Sequence, residues 1–234
     1  QGGVGTLFSM DLDGGNFVTH VNFGSVAIPG RAPNALIHAS DGNIYGTTYD
    51  SGGSNSNGIF FRYTPGGVFT LLFQFTGTPG LYKGTNPTGP LAEAPGGLIY
   101  GTTARGGGPA NMGSVYSVST TGTPAFTTQF AFSGSGAANT GRTPNGLLLA
   151  TDGNFYGVTA DGGGLTKGTV YRMTPAQVVT TLFDASSSAF RPTGALHEGP
   201  DGNFYGTGVH QTASVAGGAV FKITPAGALT QLVE

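Results

Sequence analysis

Residues 41–48 read Asp-Gly-Asn-Ile-Tyr-Gly-Thr-Thr, and close copies of this stretch recur three times along the chain. The copies occupy residues 96–103, 152–159 and 201–207, which gives a period of roughly 50 to 55 residues. Internal repeats of that length are typical of β-propeller blades, each of which is a small sheet that buries its faces against its neighbours.

Each copy belongs to a unit of four strand-like runs, which we label A to D. In the first unit, run A follows Pro33, and runs B, C and D span residues 43–48, 58–63 and 68–75. The Asp-Gly between A and B is a strong hairpin signal, and the Thr-Pro-Gly-Gly between C and D is also turn chemistry. Glycine interrupts every candidate helical window. The unit therefore predicts an all-β fold, a β-propeller of four-stranded antiparallel blades.

The runs do not add up to a whole number of units. The sequence predicts one β-propeller domain over residues 1–234, with complete blades over about 33–75, 87–133, 144–184 and 192–234. A further C–D pair, which we call the half-blade, precedes them over residues 5–23 and has no A–B pair before it.

An unpaired half-blade exposes a sheet edge, which natural proteins avoid. Three arrangements resolve it and all stay open here. The chain continues past Glu234 with an A–B pair that closes a five-bladed ring, or a second copy pairs with residues 6–23, or a four-bladed ring closes with the half-blade packed outside. We therefore expect a ring of four or five blades.

Composition excludes several classes of function. Only 9% of the residues are charged and the net charge is −2, so the chain lacks the basic stripe of a nucleic-acid-binding protein. No run of 18 apolar residues predicts a membrane span. The absence of cysteine excludes disulfide and thiolate chemistry. The chain begins at Gln1 without Met or a signal sequence, as in a processed chain or an excised fragment.

The repeated Asp-Gly-Asn-x-Tyr-Gly-Thr-Thr, the Gly-Gly loop, Gly-x-Val-Phe and Thr-Pro-x-Gly resemble a known family over essentially the whole chain. It is the choice-of-anchor tandem-repeat family called GloVer, found in bacterial surface proteins. The resemblance implies an extracellular or cell-surface location, and it carries over no catalytic residues. Two units depart from the pattern, at residues 94–97 and 208–211.

The repeated tyrosines are the first candidate site. Tyr rings are rigid and amphipathic, and they can stack on the apolar faces of sugars. The alternative is packing between blades, which explains why each unit has one. The four residues are Tyr45, Tyr100, Tyr156 and Tyr205. The neighbouring Asp-Gly aspartates are interpreted as turn caps rather than calcium ligands, because each stands alone in its unit.

A second candidate site lies two residues after the leucine of run A. The residues there are His38, Glu93, Leu149 and Glu198. If run A is the innermost strand, the three polar side chains approach the axis, where they form a ligand site or line a hydrated channel. Glu93 and Glu198 could also act as an acid–base pair.

Charged residues near the loops form the third candidate. Arg31, Arg142 and Arg191 stand just before the proline of their units, where guanidinium groups can receive carboxylates or acidic sugars. Asp50, Arg105, Asp161 and His210 lie on the loops between B and C and are expected to form another face. The alternative for both sets is solvated surface.

Together these features predict a non-enzymatic extracellular module that acts as a scaffold, an adhesion domain or a glycan-binding domain. The second hypothesis is a structural subunit that self-associates through residues 6–23. A polysaccharide-active enzyme using Glu93 and Glu198 is the least favoured. We predict no cofactor, no metal site and no nucleic-acid partner, with carbohydrate as the expected ligand.

Overall fold

The computed structural model describes residues 4–51, 56–134, 141–164, 167–185, 190–212 and 215–233. Within these ranges the regular elements are β-strands arranged in antiparallel sheets, so the predicted all-β class and blade-type propeller architecture are confirmed. The number of blades in a closed ring stays a prediction.

The half-blade and the first blade follow the predicted order. The half-blade is a two-stranded sheet of β1 (Thr6–Ser9) and β2 (Val18–Asn22). Blade 1 has the strand order A-B-C-D and consists of β3 (Arg31–His38), β4 (Ile44–Asp50), β5 (Ile59–Tyr63) and β6 (Phe69–Gln74).

Blades 2 and 3 repeat this sheet, and in each the A strand begins two residues before the predicted blade. Blade 2 consists of β7 (Thr85–Ala94), β8 (Leu98–Arg105), β9 (Ser114–Ser119) and β10 (Phe126–Ala131). Blade 3 consists of β11 (Arg142–Leu149), β12 (Phe155–Asp161), β13 (Thr169–Met173) and β14 (Val179–Asp184).

Blade 4 differs from the other blades in two ways, one of them at residues 208–211, where its sequence departs from the repeat. Its A strand is divided into two pieces that both pair with the B strand, and its B and C strands form a long hairpin where the other blades have a loop. The strands are β15 (Phe190–Pro192), β16 (His197–Glu198), β17 (Phe204–Thr212), β18 (Val215–Ile223) and β19 (Leu229–Val233).

The core lies between blades, because each hydrophobic cluster joins residues of two neighbouring sheets. Phe60 of blade 1 packs against Tyr116 of blade 2 with ring centroids 6.4 Å apart, and both side chains are fully buried. Leu7 and Val21 of the half-blade pack in the same way against Phe61 of blade 1. The half-blade therefore occupies the C and D positions beside blade 1.

The glycine of Tyr-Gly-Thr-Thr is required by packing within each sheet. A Cβ atom on Gly46 would lie 2.5 Å from the Cζ of Phe61 and 2.7 Å from the Cδ2 of Leu36. The aromatic side chain of strand C thus crosses strand B above the glycine and reaches the leucine of strand A. A larger residue at this position would push these three strands apart.

A second glycine joins consecutive blades. Gly58, at the start of the C strand of blade 1, has φ of +86°, and a Cβ there would lie 2.6 Å from the Cδ of Pro87 in blade 2. The same close approach joins Gly5 to Pro33. At these two interfaces the glycine before run C and the proline of run A, which lie far apart in the sequence, therefore form one contact between neighbouring blades.

Because the strands alternate in direction, each blade has two distinct ends. We call the end with the A–B and C–D turns the turn end, and the end with the B–C loop and the start of strand A the loop end. The candidate residues at the end of run A lie at the turn end, and the candidate arginines lie at the loop end. No helix in the described ranges is long and apolar enough to cross a membrane.

Candidate functional site

The Asp-Gly-Asn-x-Tyr motif is a closed set of hydrogen bonds at the turn end. Asp41 accepts hydrogen bonds from the backbone N–H of Asn43 at 3.0 Å, from Asn43 Nδ2 at 2.9 Å and from the Tyr45 hydroxyl at 2.7 Å. The copies at Asp152 and Asp201 have the same partners. The carboxylates are thus occupied by turn donors, in agreement with their interpretation as caps.

These bonds shift the pKa values of both partners. Partial burial acts to raise the pKa of Asp41, but the hydrogen bonds from Asn43 and Tyr45 outweigh it and hold the pKa below its ordinary value. Burial and the hydrogen bond to Asp41 raise the pKa of Tyr45 to about 12. The tyrosine therefore stays neutral and donates to a carboxylate that stays charged.

Three of the four repeated tyrosines are buried between blades. Tyr156 packs against Phe204 of the next blade with ring centroids 3.9 Å apart, and Tyr100 packs against Phe155 at 4.4 Å. Tyr45 is also fully buried, whereas Tyr205 is half-buried. The rings of the first three leave no face for a sugar, so the packing interpretation describes them.

Glu93 and Glu198 join neighbouring blades at the turn end. Glu93 accepts hydrogen bonds from the backbone N–H and the hydroxyl of Ser40, at 2.8 and 2.6 Å. Glu198 accepts the same pair from Thr151, at 2.9 and 2.6 Å. Each carboxylate therefore caps the A–B turn of the preceding blade, and we call this arrangement the glutamate clamp.

The interface between blades 2 and 3, which lies between these two clamps, shows why position 149 is a leucine. The turn that faces it has Pro95 where the turns of blades 1 and 3 have Ser40 and Thr151, and proline offers neither an N–H nor a hydroxyl. A glutamate at 149 would have no donors to accept from. The Ser or Thr after run A, together with the Glu of the following unit, was the signal for this contact in the sequence.

His38, Glu93 and Glu198 do not form a common site. His38 is exposed, and each glutamate is engaged at a different blade interface. Among the described residues, no three His, Asp or Glu side chains are grouped as metal ligands. The geometry gives no support to an acid–base pair at these positions.

The arginines at the loop end are placed differently from one another. Arg191 forms an ion pair with Asp161 at 3.0 Å and donates from Nε to the carbonyl of Ala160 at 2.6 Å. Arg142 lies opposite Asp161 in the A–B pairing of blade 3. Arg31 is exposed on blade 1, beside the half-blade. The structure thus brings Arg142 and Arg191 together around Asp161 and leaves Arg31 apart.

Arg105 and Arg142 line one cleft between blades 2 and 3, with a volume of about 330 Å³. Its wall also contains Asn111, Met112 and Asp161, together with Ala104, Ala110 and Thr143. The expectation that the B–C loop residues form a separate face is therefore corrected for Arg105 and Asp161. Strand B ends where strand A begins, so both sets share the loop end. The side chain of His210 lies outside what the structure describes.

The cleft is electropositive. The carboxylate of Asp161 is already paired with Arg191. Counted together, Arg105, Arg142, Arg191 and Asp161 leave a local net charge of +2. In the described part of the chain, Nε of Arg142 is buried and has no hydrogen-bond partner. An anionic group entering the cleft would therefore meet two guanidinium groups that form no described salt bridge.

The lip of the cleft is held by a strained backbone. Thr143 has φ of +55°, a left-handed conformation that is unfavourable for a β-branched residue. Its N–H donates to the carbonyl of Met112 in blade 2 at 2.9 Å, and Ala32 and Asn86 make the equivalent bond in their blades. This bond fixes the direction in which strand A enters and so positions Arg142 beside Met112.

Comparison with known proteins identifies the family. The sequence model of the Gloeobacter/Verrucomicrobia repeat matches residues 1–141 and again residues 83–234. The chain belongs to this repeat family. The resemblance seen in the repeated motifs is thereby confirmed. No curated protein matches the chain in sequence.

Several solved structures share the fold at low identity. A protein of unknown function from Dyadobacter fermentans has 12% identity and a TM-score of 0.56, with 98% of this chain and 72% of that protein covered. A polysaccharide lyase, an ulvan lyase bound to a sulfated glucuronic acid–rhamnose repeat, has 11% identity and a TM-score of 0.56. That match covers 88% of this chain but only 57% of the lyase.

A third similar structure is an α-L-arabinofuranosidase from Fusarium graminearum, with 14% identity and a TM-score of 0.53. The match covers 87% of this chain and 67% of that enzyme. At such identities the likeness shows the fold alone, and the function has to be argued from the site.

Proposed function

We propose that this repeat-family protein is a non-enzymatic module that binds an acidic glycan in the cleft between blades 2 and 3. The observation that carries the proposal is the pair Arg105 and Arg142, which line one open cleft with no described salt bridge to either side chain. Guanidinium groups bind carboxylates and sulfates through paired, charge-assisted hydrogen bonds.

The rest of the cleft suits a sugar ring. Asn111 offers an amide, and Asp161 a carboxylate, to which sugar hydroxyls can hydrogen-bond. Met112 and the two alanines give an apolar wall for the C–H face of the ring. The ulvan lyase with a similar fold is bound to a chain that contains glucuronic acid, and this supports an acidic sugar as the class of ligand.

We propose binding without cleavage because the described lining has one carboxylate, Asp161, which is paired with Arg191. Glycoside hydrolysis generally uses two carboxyl groups about 5 to 10 Å apart. The two glutamates that the sequence offered for this role are engaged at the turn end.

We place the protein outside the cell or on its surface, in agreement with its low charge and glycine-rich composition. There the repeated blades serve as a rigid scaffold that presents the loop-end cleft. A protein of this kind attaches to acidic polysaccharide rather than degrading it.

The proposal is tested by calorimetric titration of the chain with a galacturonic acid oligomer and with the same oligomer after carboxyl reduction. We expect the acidic oligomer to bind at least tenfold more tightly, since a charge-assisted hydrogen bond contributes about 1.5–3 kcal/mol. Its affinity should fall with added salt. Equal affinity for both oligomers would reject the acidic ligand, and release of shorter products on prolonged incubation would reject the non-enzymatic role.

A further inference from the structure

In the part of the chain that the structure describes, the inner edge of the half-blade lacks the strand that its counterparts have. In blades 1 to 4 the C strand pairs on one side with strand B and on the other with strand D. In the half-blade, β1 pairs with β2 alone within the described ranges. The B side of β1 therefore presents backbone groups that are available for a further strand.

Phe8 marks this missing strand through its exposure. It occupies the position of Phe61, Tyr116, Tyr171 and Phe221, which are at most 1% exposed, but 48% of Phe8 is exposed. Those four aromatic side chains lie over the glycine of a Tyr-Gly strand, at 2.5 Å from an added Cβ. Phe8 has no such strand above it.

Gly5 marks the missing strand a second time. Gly58 and Gly113 both lie between two groups: the proline of the next blade and the carbonyl of the last threonine in their own Tyr-Gly-Thr-Thr. A Cβ on Gly5 meets only Pro33 in this way. The place of the threonine is instead an open cavity of about 600 Å³, lined by Val4, Gly5 and Thr6 on one side and residues 31–33 on the other.

The exposure of Leu36 is a third, independent observation that points to the missing strand. Its counterparts in blades 2 to 4 are 9% exposed or less, whereas Leu36 is 51% exposed. Those counterparts are Leu91, Leu147 and Leu196. Of the four blades, as far as the structure describes them, blade 1 alone follows a sheet without inner strands, so its inner leucine is left uncovered.

We propose that the edge of β1 is a docking site for an A–B β-hairpin of this repeat type that carries Tyr-Gly-Thr-Thr. The register follows from blade 1, where Thr48, Thr47 and Gly46 pair with Ile59, Phe60 and Phe61. The second threonine of the incoming strand pairs with Thr6, the first threonine with Leu7 and the glycine with Phe8. The glycine gives Phe8 its cover, and the threonine carbonyl enters the cavity beside Gly5.

The occupant is a separate hairpin rather than the folded body of a second copy. Every A–B pair that the structure describes is already hydrogen-bonded to its own C strand. A second copy would have to break one of its own sheets to supply a hairpin. Docking therefore follows the general mode in which an extended segment adds to an exposed sheet edge.

The test uses the whole 234-residue chain and a fluorescent synthetic peptide with the sequence of residues 33–50. We expect a saturable rise in fluorescence anisotropy. A matched peptide with Gly46→Val should bind at least tenfold more weakly, because its side chain collides with the Phe8 ring. No saturable binding at millimolar chain, or equal binding of the two peptides, would overturn the proposal.

Two variants of the chain locate the peptide. Phe8→Ala removes the aromatic side chain at the edge and should weaken binding about tenfold. Leu12→Ala is the control, since Leu12 is fully exposed in the connection between β1 and β2 and should leave binding unchanged. Binding that is insensitive to Phe8→Ala would contradict docking at β1. Concentration-dependent dimers that the peptide does not disrupt would also contradict it, and would indicate that a second copy covers the edge.

Discussion

The two ends of the same blades use charged side chains in opposite ways. At the turn end, Glu93 and Glu198 are engaged by a backbone N–H and a hydroxyl of the preceding blade. At the loop end, the guanidinium groups of Arg105 and Arg142 line an open cleft. A charged side chain whose hydrogen-bond donors come from the preceding blade thus serves the assembly of blades, whereas a charged side chain that lines an open cleft is available to a ligand.

The largest effect that separates the two ends is expected for Arg142→Ala. Loss of one guanidinium should weaken binding of an acidic oligomer about 30-fold, or roughly 2 kcal/mol, with little change in melting temperature. Calorimetry and thermal unfolding measure the two quantities. Arg31→Ala is the matched control, because it removes the same charge from the equivalent position of blade 1 and should keep the affinity.

The next effect is expected at the turn end. Glu93→Ala removes the clamp between blades 1 and 2 and leaves the donors of Ser40 to water. We expect the free energy of unfolding to fall by about 1 kcal/mol, because the site is partly solvated, while glycan affinity stays constant. In a double-mutant cycle, Ser40→Ala should cost little more once Glu93 is absent. Additive losses would show that the two side chains do not interact.

A glutamate clamp built at the interface of blades 2 and 3, which lacks one, is expected to have a smaller effect on stability. Leu149→Glu alone should destabilise the protein, since Pro95 supplies no donor to the new carboxylate. Adding Pro95→Ser should restore roughly 0.5–1 kcal/mol of that loss by recreating the pair found at Glu93 and Ser40. Chemical denaturation of the single and double variants measures this coupling, and a value of zero would mean that the clamp depends on more than these two positions.

The smallest effect is a pH dependence of the turn end. Partial burial acts to raise the pKa of Asp152, but hydrogen bonds from Asn154 and Tyr156 outweigh it and hold the pKa below its ordinary value of 3.8. The contribution of Asp152 to stability is therefore present above pH 3.8 and is lost as the pH falls through the pKa of the folded state. The pKa of Tyr156 is raised to about 12 by burial and by Asp152, so its contribution is lost as the pH rises from 10 to 12. Unfolding of Asp152→Asn should depend less on pH in the acid range. An unchanged acid slope would contradict this assignment.

The sequence was sufficient for the architecture because its signals are local. Asp-Gly and Thr-Pro-Gly-Gly each mark a turn within a few residues, and Tyr-Gly-Thr-Thr marks the strand that follows. The same pattern could not decide the role of Tyr45, because an aromatic residue in every unit suits packing and sugar binding equally. Only the burial of Tyr45 decides between packing and sugar binding.

The sites were harder to predict because their partners are far apart in the chain. Ser40 and Glu93 are 53 residues apart and belong to different blades, so no local motif contains both. Arg105 ends strand B of blade 2 and Arg142 begins strand A of blade 3. Their meeting depends on the neighbouring blades and on the left-handed Thr143, which the composition of the units does not reveal.

The most direct test of the loop-end site is a crystal structure of the chain with a galacturonic acid oligomer. We expect a sugar between blades 2 and 3, with a carboxylate within hydrogen-bond distance of Arg105 or Arg142 and the ring against Met112. A sugar bound at the turn end, beside Glu93 or Glu198, would contradict it.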